Sequence, residues 1–146
     1  MFINELNKKE AIAFLGLVKS LTVVDSVFAY EEDKLIEEYI EELGLNEEII
    51  RFMSLGEALS ALSPSEKRIQ NIVYFELLGL ALVDGDFAEG EIDILNKIAD
   101  KFAISKEKQD NYLKFFKDVK ILYDSEDTDI EKKIESLRCK AEDLLA

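Results

Sequence analysis

Apolar side chains recur along this chain at intervals of three and four, and no stretch of four or more residues alternates convincingly as a strand does. The spacing predicts an all-α protein of about seven helices. Two stretches are apolar nearly all round: Ala11 to Val24, with Lys19 as the only charge, and Ile72 to Val83, with Glu76 as the only charge. Both fall short of the ~20 residues that cross a bilayer. A helix without a polar face in a protein that does not insert into a membrane is one covered by its neighbours, so these two are the expected central helices.

The remaining helices carry one apolar stripe each. From about Tyr30 to Leu43 the stripe is Leu35, Ile36, Tyr39, Ile40 and Leu43, closed by Gly44 as a left-handed cap with Leu45 as its hydrophobic latch. A shorter helix is expected over about Asn46 to Leu62. Ser63-Pro64-Ser65-Glu66 then reads as a serine cap with proline at the first position of the second central helix. Next comes a helix from about Glu89 to Phe102 with Ile92, Leu95, Ile98, Ala99 and Phe102 inward. Another, opened by Ser105, turns Tyr112, Phe115, Phe116, Val119, Leu122 and Tyr123 to the core. After the polar linker Asp124 to Asp129 a last helix holds a seam of Ile130, Ile134, Leu137, Ala141 and Leu144.

The chain repeats itself. Leu21 to Leu45 aligns with Leu80 to Ile104 at an offset of 59, with six identities in 25 positions, where ordinary composition gives roughly one or two. The identical pairs include Asp25 with Asp84, Phe28 with Phe87, Ala29 with Ala88 and Glu32 with Glu91. With a slip of six residues the likeness runs on, Lys67-Arg68-Ile69 falling on Lys132-Lys133-Ile134. The expectation is one domain over residues 1–146, a bundle whose halves, about 1–63 and 64–146, are related by a pseudo-twofold axis.

Composition then removes chemistry. The 146 residues carry 32 acidic against 18 basic side chains, a charge of −14, with no histidine, no tryptophan and a single cysteine. Without imidazole there is no serine or cysteine triad with histidine and no histidine-ligated zinc or haem. Cys139 on its own makes no internal disulfide; it lies off its helix's seam and reads as an incidental surface thiol. The charge repels phosphate backbones, and no basic patch offsets it, so no nucleic acid is expected. Met1 to Glu10 alternates charge and shows no leader pattern, so a cytoplasmic location and no membrane insertion are expected.

The repeat converges on two acidic loops, Val24-Asp25-Ser26-Val27-Phe28-Ala29-Tyr30-Glu31-Glu32 and Val83-Asp84-Gly85-Asp86-Phe87-Ala88-Glu89-Gly90-Glu91. In each, an Asp is followed three residues on by Phe and seven on by Glu, which predicts a helix ending, a tight turn, an aromatic staple and a new helix with Glu at about its third position. One reading makes Glu32 and Glu91 caps of free backbone N–H groups at the positive end of the helix dipole. Both copies have alanine where a full capping box needs serine or threonine, so only half of that device is present. The other reading gathers Asp25, Glu32, Asp84, Asp86 and Glu91 as oxygen ligands for a hard divalent cation such as calcium, magnesium or manganese. The loop is no EF-hand, since counting from Asp84 the sixth residue is Glu89 and the twelfth Leu95.

Asp84-Gly85-Asp86-Phe87-Ala88-Glu89-Gly90-Glu91, preceded by Leu80-Ala81-Leu82-Val83 and followed by an amphipathic helix, resembles the signature of the TerB-like family, the tellurite-resistance superfamily. The likeness spans about Ala11 to Leu122. It implies an all-helical bundle of two related halves, bacterial and cytoplasmic in its soluble members, with acidic residues that hold a divalent metal. It also implies ties to stress response, phage defence or membrane-linked complexes, and similar domains occur in membrane-anchored J-domain co-chaperones. By position the metal candidates are Asp84, Asp86 and Glu91, then Asp25 and Glu32. The first copy departs from the pattern, with Ser26 for the glycine and Val27 in place of Asp86.

The expected function is a non-catalytic acidic domain that binds a divalent cation, takes no organic cofactor and acts through an unidentified protein partner. Its alternative is a purely structural or scaffold protein with the loop carboxylates as caps; a hydrolase built on two carboxylates is a third reading. The run from Glu31 to Glu48, nine acids against Lys34, reads either as a docking face for a basic partner or as a solvated face.

Overall fold

The computed structural model describes residues 2–23, 37–44, 53–82, 89–124 and 130–145. Among them every regular element is helical: a 3-10 turn at Ile3–Glu5, then α1 Lys8–Val23, α2 over 37–42, α3 Leu55–Leu62, α4 Lys67–Leu82, α5 Glu89–Lys101, α6 Lys106–Asp124 and α7 Ile130–Leu145. Among the described residues the fold is all-α with seven helices, as the periodicity predicts.

The two apolar stretches are the inner helices. Ala11, Ala13, Phe14, Leu15, Leu17, Val18 and Leu21 of α1 are buried, as are Ile72, Val73, Tyr74, Phe75, Leu77, Leu78 and Ala81 of α4. α4 is the hub, touching α1, α5, α6, α7 and the 3-10 turn, whereas α1 packs most closely on α3. Phe75 stands at the centre of an aromatic cluster, its ring centroid 4.7 Å from Phe116, 5.3 Å from Phe115, 5.5 Å from Tyr112 and 6.3 Å from Phe2. The charge that interrupts this helix has a use: the Phe2 backbone N–H donates to Glu76 Oε1 at 3.0 Å, fixing the 3-10 turn on α4.

Local signals set the ends. Asn7 and Glu10 cap α1 reciprocally, the Glu10 N–H donating to Asn7 Oδ1 at 2.8 Å and the Asn7 N–H to Glu10 Oε1 at 3.0 Å. Ser54 caps α3 by accepting from the Glu57 N–H, and Ser105 caps α6 by accepting from the Lys108 N–H at 3.2 Å. Pro64 does not start α4. Ser63 is still in helical conformation and its hydroxyl donates to the Leu59 carbonyl, so it closes α3. Pro64 falls in the turn that follows, the Ser65 N–H reaches back to the Leu62 carbonyl, and α4 begins at Lys67. The helix expected from Asn46 is Leu55–Leu62 among the described residues, because Met53 and Ser54 are not helical.

The repeat survives in the backbone. Adding 59 to the first residue of α1, Lys8, gives Lys67, the first residue of α4. Among the described residues the two with positive φ, Gly44 at 67° and Ala103 at 52°, are also 59 apart. They close their helices with matching bonds, Leu43 N–H to Tyr39 and Gly44 N–H to Glu41 in the first half, Phe102 N–H to Ile98 and Ala103 N–H to Asp100 in the second. Ile104 N–H to the Ala99 carbonyl at 2.9 Å completes a Schellman motif in the second half.

The stripes hold with one correction. Ile40 is buried with Tyr39 and Leu43 packed beside it; Tyr112, Phe115, Leu137 and Ala141 are buried, and Phe116, Val119 and Leu144 pack against the core. In α5, Leu95, Ile98, Ala99 and Phe102 face inward, but Ile92 is 41% exposed and Ile94 takes the buried place. Leu35, Ile36 and Leu45 lie outside the described residues, and so do the side chains of Leu122, Tyr123, Ile130 and Ile134.

Candidate functional site

Of the five carboxylates that the sequence singles out, Glu91 is described; Asp25, Glu32, Asp84 and Asp86 lie outside the described residues. Glu91 lies in α5, whose described residues are Glu89–Lys101. It is only 8% exposed, one of three polar or charged residues buried among the described ones, with Gln70 and Asn71. Its burial follows from its register. Glu91 is three, four and seven residues before Ile94, Leu95 and Ile98, so it continues the core stripe of α5 instead of joining the solvent face.

A carboxylate taken out of water needs polar company, and Glu91 is not without a partner. The first turn of a helix leaves N–H groups free and places positive charge there, which is the kind of company that suits a carboxylate. The other end of α5 is matched by a cation: Lys67 Nζ donates to the Phe102 carbonyl. Burial and then the charge of Lys108 lower the Lys67 pKa. Chemically the buried Glu91 can cap the helix or give oxygens to a cation; among the described residues no three His, Cys, Asp or Glu gather as a metal-holding group.

Sequence reasoning passed over the other two buried polar groups. Gln70 Nε2 donates to the Leu62 and Ser63 carbonyls, both at 3.1 Å, tying the end of α3 to α4. Asn71 is 1% exposed and its Oδ1 has no hydrogen-bond partner among the described residues. The signal was a Gln-Asn pair between Ile69 and Ile72, polar residues inside an apolar stripe.

At the surface Arg68 joins the two chain ends to α4. Its Nε and Nη2 meet Glu5 at 2.9 and 3.1 Å, and Nη2 also meets Glu142 at 2.8 Å. That hydrogen bond, opposed in part by desolvation and aided by the cation's charge, lowers the Glu5 pKa. Glu37, Glu38, Glu41 and Glu42 of the acidic run are all exposed on α2. Cys139 is exposed, as its place off the seam of α7 predicts. Among the described residues no helix is long and apolar enough to cross a membrane. No protein-family model matches the chain, and neither does any curated protein or solved structure.

Proposed function

We propose that this chain is a non-catalytic TerB-like domain that binds a divalent cation through its duplicated acidic loops and acts through a protein partner. The observation that carries the reading is the burial of Glu91, a carboxylate held on the core stripe of α5 at the end of the loop motif. With no histidine in the chain, the donors at such a site are oxygens, which suits calcium, magnesium or manganese. Asp84, Asp86 and Glu91 would supply them, with Asp25 and Glu32 from the first loop. The four exposed glutamates of α2 are the face offered to a basic partner.

Titration calorimetry with calcium, magnesium and manganese chlorides tests the first part. Saturable heat in the wild type that Asp84→Asn and Glu91→Gln abolish is the expected result; no heat beyond those variants overturns it. A pulldown in which charge reversal at Glu37, Glu38, Glu41 and Glu42 leaves every partner bound removes the α2 face. The place of Glu91 among the first described residues of α5 favours a second reading, the helix cap alone. In that case Glu91→Gln lowers the melting temperature by the same amount with and without added cation.

A further inference from the structure

Residues of α4, α5 and α6 line a cleft of about 180 Å³ that is open to solvent. Tyr74 and Leu78 of α4 form one side, and Ile92, Leu95 and Leu113 line it from α5 and α6. We propose that this cleft binds a neutral, single-ring aromatic molecule carrying one hydrogen-bonding group.

Size admits one ring: an enclosed apolar cavity of about 150 Å³ takes up benzene, and this cleft, open on one side, has a similar volume. Charge points to a neutral ligand. The charged groups at the cleft, Lys106 and Asp110, lie 3.4 Å apart with opposite charges, so the cleft presents no net charge to attract an ionic ligand. The chain's charge of −14 further disfavours anions. Polar atoms at the walls fix orientation. Gln109 spends its Nε2 on the Ile104 carbonyl at 2.9 Å, which leaves Oε1 as an acceptor. Burial, then the charge of Asp110, pushes the Tyr74 phenol up to about 12, so it stays a donor at physiological pH. Ile92 is the one large hydrophobic residue exposed among those described, and it lines this cleft. A ring seated there covers it.

Phenol is the probe. In methyl NMR spectra of the full chain, phenol shifts the Leu78, Ile92, Leu95 and Leu113 methyls saturably, with a dissociation constant of about 1 mM for a ligand of its size. Ile92→Trp, which puts an indole across the opening from an already exposed position, abolishes the shifts while the melting curve stays cooperative. Tyr74→Phe weakens binding about threefold to tenfold, the worth of one hydrogen bond. This variant removes one oxygen without changing shape, so it carries the test alone if the tryptophan variant unfolds. Shifts that do not saturate, that spread over helices away from the cleft, or that persist in both variants overturn the proposal.

Discussion

Gly16 and Gly56 sit in helices, yet replacing each with alanine has opposite expected effects. Alanine is favoured over glycine inside a helix by about 1 kcal/mol, because glycine loses more backbone freedom on folding. At Gly56, exposed in α3, an added Cβ meets nothing within 4 Å. There the propensity gain acts alone, reduced by its place in the first turn, and Gly56→Ala stabilises by about 0.5 kcal/mol. At Gly16 in α1 the same Cβ sits 2.7 Å from the Met53 carbonyl oxygen and 3.2 Å from its Cβ. A backbone oxygen leading into α3 cannot swing aside as a flexible side chain does, so α1 and α3 must move apart where they pack most closely. Overpacking of that kind costs about 1–3 kcal/mol, more than the propensity gain. Gly16→Ala therefore destabilises by about 1 kcal/mol net, which lowers the melting temperature by roughly 2–4 °C in a chain of this size. Urea and thermal unfolding followed by circular dichroism at an unchanged m-value read both variants. A Gly16→Ala protein as stable as Gly56→Ala refutes the close approach of Met53.

Three further outcomes follow from single positions. Ala103 holds φ at 52°, where Gly44 serves the first half; Ala103→Gly stabilises by about 0.5–1 kcal/mol and Gly44→Ala destabilises by as much, read as opposite shifts in urea midpoint. Asn71→Leu removes a buried carbonyl with no partner among the described residues, and raises stability by about 1–2 kcal/mol; a lower melting temperature would mean that the amide is satisfied. Burial pushes Tyr39, Tyr74 and Tyr112 up to about 12 from 10.0. Their contribution is complete below pH 10 and lost as pH rises through about 12, whereas that of Glu5, with its pKa lowered from 4.5 beside Arg68, is lost as pH falls below 4.5. Spectrophotometric tyrosine titration and acid unfolding with and without salt check the two limbs, and Arg68→Met removes the acid one.

The helices were legible because their apolar residues recur at the helix period, and the repeat because matching core positions take matching residue types. Gly44 betrayed its helix end by its chemistry; Ala103 did not, since only the bond pattern at Phe102, Ala103 and Ile104 marks it. Pro64 misled for the opposite reason. A proline preceded by serine fits the first turn of a helix and also the turn after one, and the Ser63 hydroxyl on the Leu59 carbonyl settles it for the second. The pairing of Arg68 with Glu5 and Glu142 spans 63 and 74 residues, so no local pattern announces it.

The misreading of Ile92 and the burial of Glu91 are one fact about α5. Residues on a helix are turned about 100° from their neighbours, so Glu91 and Ile92 cannot both lie at the centre of one stripe. Hydrophobicity assigns the place to Ile92, and the stripe through Leu95, Ile98 and Phe102 is satisfied either way within the breadth of an apolar face. Ile94 decides it. Burying Ile94 with Leu95 and Ile98 centres the face near Glu91 and swings Ile92 to its margin, where it is 41% exposed. A helix that keeps a carboxylate inward and leaves an isoleucine at its edge gives up hydrophobic stabilisation, about 1–2 kcal/mol for the isoleucine alone. Offsetting that loss requires Glu91 to gain as much from what it meets inside, by N–H groups at the start of α5 or by a cation. Glu91→Leu separates the two: a gain in stability at saturating calcium leaves the carboxylate no inward role, and a loss that appears only when calcium is present assigns the role to the cation.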